Sequence, residues 1–208
     1  MDNLIPAFMA LIHLEGALND QVDKVNSNFA TLKEVQLFNS QGEIHSQQND
    51  IYGQYSTSIE VLAYIMKTTI DKLICLMSIA KYGYDNRGGI IHDCIGSLLD
   101  RNSAEQTVSG KTEVFCDGAL IPSYAFLFRI NDIHNAYKHT FSTTQINIID
   151  NVTPTMATVY KPHNSTNMAS RLAYMLCYDA VQSFEGLMKS AKQYLDSLAA
   201  ELSITSND

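Results

Sequence analysis

Phe126-Leu127-Phe128-Arg129-Ile130-Asn131-Asp132-Ile133-His134-Asn135-Ala136-Tyr137-Lys138-His139 is the stretch on which the reading of this chain turns. It contains no proline or glycine, so nothing in it interrupts a helix. At about 100° per residue, Phe126, Ile130, Ile133 and Tyr137 fall within roughly 60° and form an apolar stripe meant for a core. His134, Lys138, Asn131 and Asn135 span roughly 100° of an adjoining polar face, and Arg129 lies on the other flank, roughly 140° from His134. Arginine grips phosphate through a planar fork, and histidine moves protons near neutral pH. A site that uses both side chains therefore needs a distorted helix, or two copies of the chain that each supply part of it.

Working outward, the motif helix is expected over about residues 118–140. Gln145-Ile-Asn-Ile-Ile149 and Thr155-Met-Ala-Thr-Val-Tyr160 read as two short strands. Asp150 to Pro154 supplies the turn between them, which predicts a β-hairpin over about 145–160. A last long helix is expected from about Asn167 to Leu202. Upstream, the polar residues 102–117 read as a loop, and Ile90 to about Asp100 as a short amphipathic helix. Asp50 to Tyr82 reads as a long helix that ends at Gly83, Gly88 and Gly89, with Gly53 placed to kink or delay its start.

The N-terminal 38 residues carry the longest pattern. Leu4, Leu11, Leu18, Val25 and Leu32 recur every seven residues, with Phe8, Val22 and Phe29 as a companion row, and Glu15 interrupts the seam. Such a helix extends roughly 50 Å at about 1.5 Å per residue. It must pack along another long helix or another subunit. Asn39-Ser-Gln-Gly42 is the turn that ends it. The fold class that follows is mostly α: a helical bundle with long N-terminal helices and a small β-hairpin insertion before the last helix. Residues 1–50 read as a coiled-coil-like extension and 51–208 as the bundle.

At Arg129-Ile-Asn-Asp-Ile-His134 the chain resembles the HEPN superfamily of helical-bundle proteins, whose hallmark is an arginine followed by a histidine after four to six residues. Helical segments precede the motif and another follows it. Ile130 departs from the pattern, since active members usually place a polar residue directly after the arginine. The resemblance implies metal-independent cleavage of RNA by a homodimer, with no cofactor. It assigns His134 to general acid or base work, Arg129 to the charge on the phosphoryl oxygens, and Asn131 to orienting one of the pair. Lys138, His139 and Asn135 would then hold the RNA backbone. A toxin or phage-defence setting, with a cognate protein partner, goes with that family. The competing reading is a non-catalytic interaction or dimerisation module. In it, Arg129 bridges to Asp132, and His134 and His139 are ordinary surface residues of a helix.

Composition narrows the remaining classes. A hydrophobic share of 46% over 208 residues excludes a disordered chain. A formal net charge of −8 excludes a broadly basic nucleic-acid binder but leaves room for one local patch. Cys75, Cys94, Cys116 and Cys177 lack CxxC spacing and read as buried thiols. His92-Asp93-Cys94 has no partner pair at zinc-site distance, and no Glu-x-x-His occurs for a di-iron centre, so no metal is expected. Tyr64, Met66, Met77, Tyr174, Met175 and Tyr178 sit at helical spacing and read as core. Leu4 to Leu18 is apolar, but Asp2, His13 and Glu15 spoil it as a leader. No run reaches a membrane span of roughly 18 residues. The cytoplasm is the expected location.

Overall fold

The computed structural model describes residues 5–38, 46–99, 115, 118–139, 144–145, 153–160 and 171–205. Five α-helices and a small antiparallel sheet make up these residues. The chain divides into two compact units. One comprises Met1–Ile12, Lys67–Asn131 and Val181–Asp208, the other His13–Met66 and Asp132–Ala180.

Helix α1 runs from Ile5 to Phe38, as the seven-residue repeat requires. Leu11, Leu18, Val25 and Leu32 are buried, and Glu15 is exposed. The companion row is mixed: Phe29 is buried, Val22 half-buried, and Gln21 buried as well. Leu4 and the proposed turn at 39–42 lie outside the described residues.

Helix α2 spans Ser46–Tyr82. It starts earlier than its apolar pattern suggested, so Gly53 lies inside it on an exposed turn and does not delay it. In the second unit α1 and α2 run antiparallel. Gln21 Nε2 donates to the Ser58 carbonyl at 2.8 Å, Asn28 Nδ2 donates to the Gln54 carbonyl at 3.3 Å, and the Phe29 and Tyr55 rings sit 5.4 Å apart. Gln21 is buried because its amide is satisfied there, which removes the penalty for a polar group in a core. Tyr55, Ile59, Leu62, Ala63 and Met66 have no measurable exposure and form the centre of this unit with Ile133, Met156 and Ala157.

Gly83, at φ 68°, ends α2, and its N–H donates to the Ile79 carbonyl at 2.9 Å. A left-handed residue at this position is most easily glycine. The expected helix over 90–100 shrinks to α3, Ile95–Leu98. Residues before it are pinned extended: Cys75 Sγ donates to the Asp93 carbonyl, and the Ile95 N–H donates to Asp71 Oδ1. Asp71 also pairs with Lys67 one turn earlier. In the same unit Tyr82, His92 and Phe115 cluster, and the Tyr194 hydroxyl donates to the Phe115 carbonyl at 3.3 Å.

A single 3₁₀ turn, Ile121–Ser123, leads into α4, Tyr124–His139, so the regular helix begins later than the expected residue 118. Strand β1 (Thr144–Gln145) pairs with β2 (Thr155–Tyr160), as the hairpin reading requires. Residues 146–149 and the turn before Thr153 lie outside the described residues.

A third strand was not expected. Arg171–Leu176, read from sequence as the start of the last helix, is strand β3 and pairs antiparallel with β2, Thr155 opposite Leu176 and Tyr160 opposite Arg171. Leu172 is 51% exposed, Ala173 1% and Tyr174 52%, the two-residue alternation of a strand. Arginine, leucine, alanine and methionine are all good helix formers, but propensity is worth only tenths of a kcal/mol per residue, about 0–0.7, and pairing with the buried β2 overrides it. The last helix, α5, therefore begins at Cys177 and runs to Thr205. Its first N–H donates to the Pro154 carbonyl at 2.9 Å, and Asp179 lies in the first turn, where the helix dipole favours a negative charge. Ala180, Phe184, Leu187, Ala191 and Tyr194 form its buried row.

Candidate functional site

Helix α4 buries more of its circumference than the sequence stripe implied. Phe126, Ile130 and Ile133 are buried and Tyr137 half-buried, as expected, but Leu127, His134 and Ala136 are buried too. At about 100° per residue the covered arc widens to roughly 180°. His134, placed by its spacing on the polar face, falls inside this arc and is only 9% exposed. Asn135 and Lys138 do lie exposed, while Arg129 and Asn131 are half-buried. The side chain of His139 lies outside the described residues.

His134 is covered by an aromatic ring from α2. The Tyr64 and His134 rings are 5.9 Å apart and tilted by 34°. Tyr64 was read from sequence as core, yet it is 57% exposed. Met66 and Met77 are core as read, whereas Tyr174 and Tyr178 are exposed like Tyr64.

The neighbouring turn of α4 completes the site. The Tyr137 hydroxyl donates to the Ala157 carbonyl of β2 at 3.4 Å. Burial pushes its ionisation far above the usual phenol range, with further pushes from the negative charge of Glu60 and then from Cys177, Tyr55 and Tyr52. Burial also raises the Glu60 carboxyl above its ordinary value. Cys177 is pushed up to about 12 by burial, against a hydrogen bond with the Met156 backbone that pulls it down. It is a packed thiol, not a nucleophile.

The Tyr64 ring lies beside the His134 ring; Glu60 stands one turn before Tyr64 on α2, and Tyr137 nearly one turn after His134 on α4. All four residues belong to the second unit. Sequence reasoning singled out His134 but gave no sign of Tyr64 beside it, because that contact depends on tertiary packing. Arg129 and Asn131 belong to the portion of α4 assigned to the first unit.

Among the described residues no cluster of three histidine, cysteine or acidic side chains is arranged to hold a metal ion. Cys75 and Cys94 are half-buried free thiols and Cys177 a buried one. No helix among the described residues is long and apolar enough to cross a membrane. No family model, curated protein or solved structure matches the chain.

Proposed function

We propose that this protein is a metal-independent endoribonuclease of the HEPN type that acts as a homodimer in the cytoplasm, in a toxin or phage-defence setting with a cognate protein partner. The observation that carries the reading is the Tyr64–His134 pair: an imidazole beside a partly exposed aromatic ring. An exposed ring of this kind stacks on an unpaired base, and that contact tells single-stranded RNA from a duplex. It would hold a nucleotide next to a group able to move a proton. Arg129, roughly 140° around the helix from His134 at about 100° per residue, serves the partner copy's histidine and stabilises the phosphoryl charge. Asn131 orients the pair. Exposed Lys138 and Asn135, together with His139, track the RNA backbone.

The test is incubation of the purified protein with mixed RNA in EDTA. Cleavage is expected, with products ending in 2′,3′-cyclic phosphate, and Arg129→Ala is expected to remove it. Intact RNA in the wild-type reaction would sink the proposal. Light scattering is expected to show a dimer at micromolar concentration, because the site needs side chains from two copies; a strict monomer rules out that arrangement.

A second reading has its own support. Met9 and Ile12 on α1, and Leu172, Tyr174 and Tyr178 around β3, expose large apolar surface, as a protein-interaction module does. Dimer formation without RNA cleavage would favour it.

A further inference from the structure

We infer that two copies of this chain join edge to edge along β3, so that their three-stranded sheets become one sheet running through both copies. The inference rests on the homodimer in the reading above, not on RNA cleavage, and names the surface that joins the two copies.

Alternate residues of a strand point their backbone N–H and C=O groups to opposite sides, and each side needs partners. The sheet order is β1-β2-β3, so among the described residues β3 is paired on one side only, through β2. The described part of β1, at the other edge, is only Thr144–Gln145. Strand β3 is the longer edge: six residues, about 20 Å, paired with β2 one to one from Arg171 to Leu176 without a bulge. Edges that must stay single are blunted by proline, lysine, bulges or short length. Arg171-Leu172-Ala173-Tyr174-Met175-Leu176 has no proline, lysine or bulge, and its only charge, Arg171, stands at its end. It is built as a template for another strand.

The side chains choose which strand. Leu172 and Tyr174, on one face, are each more than half exposed, while Ala173 between them is buried on the other. An antiparallel partner sets residues of the same face directly opposite each other. With Ala173 on a two-fold axis, a second β3 meets that requirement. Leu172 faces the partner's Tyr174, and Tyr174 faces the partner's Leu172. These two aliphatic–aromatic pairs cover each other's exposed surface, and the small Ala173 meets its own copy. Arg171 falls opposite the partner's Met175, so no two arginines meet. The contact is self-complementary, as a two-fold interface has to be. It sets no acid against an acid, which matters in a chain with a formal net charge of −8. A foreign peptide would have to reproduce this pattern; a second copy already carries it. The edge also adjoins α4. Ala157, whose carbonyl accepts from the Tyr137 hydroxyl, is the β2 residue paired with Tyr174. An added strand runs about 10 Å from β2, two strand spacings, on the sheet that α4 touches through Tyr137.

Sedimentation equilibrium of the full chain, without RNA, is expected to show a dimer. Leu172→Glu combined with Tyr174→Glu sets glutamate against glutamate at both cross-strand pairs and is expected to weaken self-association by about 30-fold. Leu172→Lys combined with Tyr174→Glu sets lysine against glutamate at the same two places and is expected to dimerise like the wild type. Circular dichroism checks that each variant folds. The lysine–glutamate variant loses the same two side chains, so it separates a pairing effect from damage to the sheet. A dimer of wild-type strength in the double-glutamate variant overturns the inference and leaves a homodimer joined elsewhere. Loss of the dimer in both variants overturns the pairing of Leu172 with Tyr174. A wild-type monomer overturns the inference and the homodimer together, while RNA cleavage is scored in its own assay.

Discussion

His134→Ala is expected to lower the rate of RNA cleavage by about 10²–10⁴-fold, the usual contribution of a positioned acid or base. The substitution also removes a buried ring from beneath Tyr64, so part of any loss must be separated from unfolding. Truncating a buried side chain costs about 1–3 kcal/mol. That is felt as a lower melting temperature but is too small to empty the folded state of a typical domain. His134→Gln keeps much of the volume and removes the proton carrier. Both variants are expected to lose activity, with the glutamine variant melting closer to wild type. Activity that tracks melting temperature across the two, and not the loss of imidazole, would make His134 a packing residue. Cleavage that survives both points to a contaminating nuclease.

That prediction depends on a feature the sequence did not display. Periodicity located α4 and its apolar stripe, since Phe126, Ile130 and Ile133 are buried as their spacing required. It placed His134 on the polar flank because a helical wheel knows nothing of the partner helix. Tyr64, seventy residues away, is what turns that flank inward.

Strand β3 was illegible for a different reason. Arg171 to Leu176 holds residues with ordinary helix propensity and runs directly into a strongly helical segment, so no local signal separates the two. The decision was made by β2, whose Thr155, Met156, Ala157 and Thr158 are all buried and need partners for their backbone groups. By contrast the main row of α1 was readable, with Leu11, Leu18, Val25 and Leu32 buried, because a sustained seven-residue repeat has few alternative explanations.

Replacing Val25 with aspartate puts that reading of α1 to the test and is expected to unfold the protein. Val25 is 1% exposed, midway along α1 and between the Gln21–Ser58 and Asn28–Gln54 hydrogen bonds that tie α1 to α2. An ionised carboxylate there has no positive partner in the buried row, whose members are Leu18, Phe29 and Leu32. Burying it costs several kcal/mol, against a total stability of about 5–15 kcal/mol for a domain. The group escapes only by protonation or by separation of the helices. Far-UV circular dichroism and urea titration are expected to show a protein that is largely unfolded at neutral pH and partly recovered near pH 4, where the aspartate takes up a proton. Leu18→Asp is expected to do the same, being buried on the same row. Glu15→Ala, on the exposed side of the helix, is expected to change stability by no more than about 0.5 kcal/mol. A Val25→Asp protein as stable as the Glu15 variant would mean that α1 is not packed along α2. Because α2 also carries Tyr64, whose ring lies beside His134, a helix loosened at Val25 is expected to weaken the proposed RNA cleavage without touching any residue that handles the substrate.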